Sequence, residues 1–197
     1  MKKKDREAKC RALLKYNSED ILFTDEVSFT LNSYNIHAYI AIHESGSHQL
    51  FFDDYLNGTT YSGILKNIRD WGNNNLGDKK FILQHDNHPA HTEADNQSFI
   101  KKNFKHISTE EWPSESCMLN PDDYLNLTLK DEVYKSLENT EISSHDKAKL
   151  LVEQEFNKLM SRPNYVSALC KSFPAMLQCC IANEGGKFTS HQCYKFK

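Results

Sequence analysis

The sequence predicts an α/β domain on one mixed sheet: a three-strand antiparallel meander continued by parallel strands and flanked by helices. Three observations carry this. Three β-favouring runs, residues 21–31, 36–43 and 49–52, follow one another through short connections. Two further short apolar runs, 81–85 and 106–108, alternate with stretches of helical spacing. Beyond Pro121 the pattern is helical to about residue 183.

Taken in order, residues 6–16 read as a short helix with Ala8, Leu13 and Leu14 apolar. Phe23, Val27 and Phe29 favour a strand over 21–31. In 36–43 the residues Ile36, Ala38, Ile40 and Ile42 alternate onto one face, with Tyr39 and Ala41 on the other. Gly46 marks a turn before the strand 49–52. Tyr61, Ile64, Leu65 and Ile68 are spaced for a helix over 60–71, closed by a glycine and asparagine loop at 72–77. The run 81–85 is a central strand, 92–103 a helix and 106–108 a short fifth strand; 112–121 is irregular. Pro121 sits where proline is tolerated, at the start of a helix over 122–137. Ser143-Ser144 caps a helix running to about Met160. A last helix, 163–183, carries a break at Pro174 and ends at Gly185-Gly186.

At 197 residues the chain is one domain or one domain with a short appendage. A net charge of −3 excludes the global basic field of a protein that binds nucleic acid through charge alone. Basic spots remain at the N-terminus, Lys79-Lys80, Lys101-Lys102 and the closing Lys195-Phe196-Lys197. No run approaches the roughly 20 apolar residues of a membrane span, and the basic start has no apolar core behind it, so neither a membrane partner nor a signal peptide is expected. Six scattered cysteines without a C-x-x-C pair read as reduced, intracellular thiols, with Cys170, Cys179 and Cys180 packed among C-terminal helices.

The chemistry lies in three acidic positions. Asp25 and Asp86 follow apolar strand runs, and Asp123 falls in the first turn of a helix after Asn120-Pro121. An isolated aspartate at any of these places is more often a turn, cap or helix-dipole residue. Together, in this order, they match a ribonuclease-H-like arrangement, in which carboxylates from the first strand, the fourth strand and a following helix converge. Oxygen donors in that number suit hard divalent cations. A pair of such ions can drive phosphodiester chemistry by activating the attacking oxygen and stabilising the leaving one. The repeat His85, His88, His91 has zinc-like spacing, but no fourth ligand accompanies it.

Three blocks resemble the catalytic blocks of the mariner superfamily of DNA transposases. They are Thr24-Asp25-Glu26-Val27-Ser28-Phe29, then Gln84-His85-Asp86-Asn87-His88-Pro89-Ala90-His91-Thr92, then the stretch from Trp112-Pro113-Ser114 to Leu119-Asn120-Pro121-Asp122-Asp123-Tyr124. The C-terminal stretch from Ser172-Phe173-Pro174 to Gly185-Gly186 resembles that family's closing helix and glycine turn. The resemblance implies an enzyme dependent on two Mg²⁺ or Mn²⁺ ions. It would cleave DNA at transposon ends and join the 3′-hydroxyl to a target. By motif position Asp25, Asp86 and Asp123 are its catalytic and metal-binding residues, and Asp122 is the less apt neighbour. Asn87 and His91 match positions beside the site that orient ligands or DNA phosphate, and Glu26 is a further supporting residue. DNA, a second copy or a full-length transposase are the implied partners, and the nucleus is the implied compartment. On this reading residues 1–20 are a residual helix or linker, 21–140 the catalytic core and 141–197 helices packing on it.

The chain departs from the family in several ways. It shows no helix-turn-helix segments for transposon-end recognition, and the stretch between Asp25 and Asp86 is short. Cys117-Met118 stand where Pro-Asp is usual, and Asn126 where tryptophan is common. These departures suggest an alternative: a decayed or domesticated copy acting as a binding or regulatory module.

Overall fold

The sheet is organised around one long strand, β1 (Ile21–Leu31), which pairs on both sides. In the computed structural model, which describes residues 2–53, 55–76, 81–189 and 192–193, β1 runs antiparallel to β2 (Tyr34–His43), and β2 antiparallel to β3 (Gly46–Phe52). On its other side β1 runs parallel to β4 (Ile82–Gln84), which runs parallel to β5 (Lys105–His106). The order is β3-β2-β1-β4-β5, a meander extended by parallel strands as the sequence predicts. Asn32 adopts a φ of 57°, the left-handed conformation that a tight hairpin between β1 and β2 needs. The fifth strand pairs over only two residues, but the Ile107 amide still donates to the Leu83 carbonyl at 2.9 Å.

Strand alternation splits the core in two. Ile36, Ala38, Ile40 and Ile42 join Phe23, Val27 and Phe29 on one face; Tyr39 and Ala41 join Leu22 on the other. The first face is covered by α1 (Lys2–Leu13), α5 (Pro121–Leu137), α6 (His145–Met160), α7 (Tyr165–Lys171) and α8 (Phe173–Ala182). The second is covered by α2 (Gly58–Asn75), α3 (Pro89–Thr92) and α4 (Ala94–Asn103).

Several helix boundaries differ from the sequence expectation. Helix α2 continues through Asn73–Asn75 instead of ending at Gly72. That glycine serves a close approach, since a Cβ there would come within 2.3 Å of the Phe81 ring. The predicted helix 92–103 divides at Glu93, whose backbone is extended, because Pro89 starts a separate turn capped by His88. The predicted helix 163–183 breaks at Ser172, ahead of Pro174, which occupies the first turn of α8 where no backbone donor is required. Gly77, Lys79-Lys80 and Lys195–Lys197 lie outside the described residues.

The segment Tyr165–Ala182 is, against the sequence expectation, long and apolar enough to cross a membrane by composition, with a mean hydropathy of 1.2 over 18 residues. Its place in the fold accounts for that composition. Phe173, Met176, Leu177, Cys179 and Cys180 are buried in the main core. Phe173 meets Phe23 edge-on with ring centroids 5.1 Å apart and stacks on Trp112 at 6.1 Å. Five cysteines are buried and Cys117 is exposed; all six are free thiols.

Candidate active site

Sheet register brings the first two aspartates side by side. The last parallel pair is Phe23 with Gln84, and Asp25 and Asp86 each lie two residues beyond it. They therefore sit together outside the carboxyl end of neighbouring parallel strands, where α/β sheets form ligand crevices. Thr24 continues the tie, its hydroxyl donating to the Gln84 carbonyl at 2.7 Å. Asn120 brings in the third. Its Nδ2 donates to the Thr24 carbonyl at 3.2 Å, while its Oδ1 accepts from the Asp122 amide at 3.1 Å and caps α5. The first turn of α5 is thereby fastened beside β1. Asp25, Asp86 and Asp123 line one cavity of about 470 Å³, with Asn87, His88, Trp112 and Lys187 among its walls.

The electrostatics of this cluster are those of carboxylates crowded together. Burial raises the Asp25 carboxyl well above its ordinary range, and the charges of Asp123, Glu26 and Asp86 raise it further. Burial also lifts Asp123 to about 6, against the lowering effect of a hydrogen bond with Asp25. Asp86 differs. Burial pushes it up, but His91 and the His88 amide outweigh that and hold it below its ordinary value. The His91 Nδ1 lies 2.9 Å from the Asp86 Oδ1, and the His88 amide donates to the same oxygen at 2.9 Å. Lys187 is the one basic lysine or arginine among the described lining residues. An excess of anionic oxygen in one cavity is a donor set that fits hard divalent cations.

Asp122 is fully buried and is not among the residues that line the cavity. Burial raises its carboxyl well above the ordinary range, with Asp25 and Asp123 adding to the effect. Asn87 donates to the Trp112 carbonyl at 3.4 Å, joining the strand-end block to the loop that forms the opposite wall. The three histidines do not converge on one point. His88 caps α3 through Nδ1, His85 is buried and held neutral by desolvation (about 3), and His91 pairs with Asp86.

Two features of the site had weak or no sequence signal. Arg6 is buried; it donates to the Ser116 hydroxyl at 3.0 Å, the Gly185 carbonyl at 2.7 Å and the Glu115 carbonyl at 3.3 Å. It thus fastens the cavity wall to α1 and to the turn after α8. Asn120 carried a recognisable cap-then-proline pattern, but its donation to Thr24 spans 96 residues of sequence and was not predictable.

A mixed sheet of this order flanked by helices is a ribonuclease-H-like fold, and here it carries carboxylates beyond two adjacent parallel strands and in the first turn of α5. Among solved structures, the chain superposes on the catalytic domain of Mos1 mariner transposase with a TM-score of 0.78 and 19% identity, covering 95% of this chain and 96% of that one. It superposes on the Mos1 mariner paired end complex with Mn with a TM-score of 0.79 and 16% identity, covering 95% of this chain and 64% of that one. In sequence it is similar to the Tcb2 transposase of Caenorhabditis briggsae, 32% identical over 74 residues, and to the Tcb1 transposase of the same organism, 35% identical over 66 residues. Those matches cover 37% and 33% of this chain and span about a quarter of each relative, 26% and 23%. No family model matches the chain.

Proposed function

We propose that this chain is the catalytic domain of a mariner-type DNA transposase, cleaving DNA strands at transposon ends and transferring the resulting 3′-hydroxyl to a target. The observation that carries the reading is the register of Asp25 against Asp86 with Asp123 fastened across from them. The likeness to Mos1 structures solved with Mg and Mn supports it, as do the Mos1 paired-end and strand-transfer complexes. In this reading Asp25, Asp86 and Asp123 hold two Mg²⁺ or Mn²⁺ ions. When bound, such ions supply Lewis-acid activation of the attacking oxygen and stabilisation of the leaving oxygen.

The chain's own residues do the rest. His91 and the His88 amide fix the Asp86 carboxylate, so one ligand is oriented before any ion arrives. Asn120 sets where Asp123 stands relative to β1. Lys187 supplies positive charge at the cavity wall for a backbone phosphate. The partner is DNA, with a second copy or a full-length transposase completing the assembly and the nucleus as the site of action. At a net charge of −3, sequence-independent binding through phosphate contacts alone is expected to be weak.

Calorimetric titration of the purified domain with Mn²⁺, beside Asp25→Asn, tests the reading. Binding of at least one ion to the folded wild type that is lost or strongly weakened in the folded variant supports it. A folded wild type that binds no Mn²⁺ would leave the decayed copy as the better account.

A further inference from the structure

Alternation along β1 sends the side chains of Asp25 and Glu26 to opposite faces of the sheet. Asp25 shares its face with Phe23 and Val27, the side covered by α5; Glu26 shares the face of Tyr39 and Tyr61, the side covered by α2 and α3. Asp86 follows the end of β4 and meets both. On the α5 side it shares the cavity with Asp25 and Asp123. On the α2 side one ligand atom each from Glu26, Asp86 and His91 lie within 4.8 Å of one another.

We propose that Glu26, Asp86 and His91 form a second cation site that takes a first-row transition ion such as Mn²⁺ in preference to Mg²⁺. It shares Asp86 with the proposed three-aspartate centre and needs none of that centre's chemistry. The donor set explains the preference. The three aspartates offer oxygen only, which Mg²⁺ accepts, whereas an imidazole nitrogen suits transition ions.

Three further observations point to an ion. His91 is 1% exposed and cannot swing into solvent, so its ring is pre-positioned. It stands against Tyr61, ring centroids 4.0 Å apart, and its Nδ1 is already 2.9 Å from the Asp86 carboxylate. The Glu26 Oε2 is shielded from water and has no hydrogen-bond partner. An anionic oxygen so placed is costly unless a cation answers it. Entry is open from the Asp86 side, whose side chain is 48% exposed. With Mg²⁺ alone this side stays unfilled, so the two metals give differently loaded forms.

Pulsed electron paramagnetic resonance on the Mn²⁺-loaded full chain tests this, because ¹⁴N modulation reports a nitrogen ligand directly. The wild type is expected to show ¹⁴N coupling that persists when excess Mg²⁺ displaces the oxygen-bound ions. Glu26→Gln should lose the coupled ion, while Asp123→Asn should retain it. His91→Gln, checked for folding by circular dichroism, should abolish the coupling; should it not fold, Glu26→Gln decides. Bound Mn²⁺ with oxygen-only coordination overturns this site and leaves the three-aspartate reading standing. A nitrogen-coupled ion with no second, Mg²⁺-displaceable ion supports this site and counts against that reading.

Discussion

The Asn120 side chain donates to the Thr24 carbonyl at 3.2 Å while capping its own helix through the Asp122 amide at 3.1 Å. One amide therefore fixes the distance between the strand bearing Asp25 and the helix bearing Asp123. Replacing it by Ala removes both bonds and should cost about 1–2 kcal/mol of stability, read as a lowered denaturation midpoint. Asn120→Asp keeps the cap acceptor and loses the donor. It should recover part of the stability but not the Mn²⁺ affinity. Full recovery of both by Asp would show that the tie to Thr24 is incidental.

Acid titration should carry the mark of the crowded carboxylates. Burial, reinforced by Asp86 and Glu26, lifts Asp123 from 3.8 to about 6. A raised acid binds its proton in the native state where the unfolded chain has already released it. Its stabilising contribution is therefore complete below about pH 4 and is lost as pH rises through about 6. Melting temperatures of the metal-free protein in chelator should show this loss in the wild type. The loss should be smaller in Asp123→Asn, and the difference between the two curves isolates the effect from Asp86, whose lowered carboxyl acts in the opposite direction. Identical curves would contradict the arrangement. Metal affinity should rise across the same window, because each ion displaces protons.

The turn after α8 holds the cavity wall at a distance. Gly185 has a φ of 73°, and a Cβ there would come within 1.9 Å of the Lys3 carbonyl oxygen. Gly185→Ala should therefore destabilise by about 2 kcal/mol or more through backbone strain and displacement of α1. Arg6→Ala leaves the Gly185 carbonyl and the Ser116 hydroxyl oxygen without their guanidinium donor and should also lower the midpoint. Both should weaken Mn²⁺ binding less than they weaken stability, since neither touches an aspartate. Hydrogen exchange of residues 112–117 should rise in both; unchanged protection there would contradict the coupling of α1 to this loop.

Much of this was legible in the sequence because it rests on short-range periodicity. The two faces of β2 follow from Ile36, Ala38, Ile40 and Ile42 alternating with Tyr39 and Ala41, and the core divides the same way. The meeting of Asp25 with Asp86 was accessible through strand ends and motif order. The helix breaks were less legible. Gly72 looks like a stop until Phe81 is seen against it, and Glu93 looks helical until Pro89 is seen to start its own turn. Long-range polar ties such as Arg6 to Ser116, 110 residues apart, have no periodic signature at all. The opposite orientation of Glu26 was implicit in strand alternation, but its proximity to His91 required the placement of α3.

The most direct test of the central claim is nicking of supercoiled plasmid DNA by the purified chain in Mg²⁺ and in Mn²⁺, beside folded Asp86→Asn and Asp123→Asn. The account predicts metal-dependent conversion to the open circle by the wild type and a loss of at least about 100-fold in each variant, the scale expected when a ligand that supports transition-state charge is removed. Nicking that survives both substitutions, or a folded wild type that binds Mn²⁺ and cuts no DNA, would contradict it.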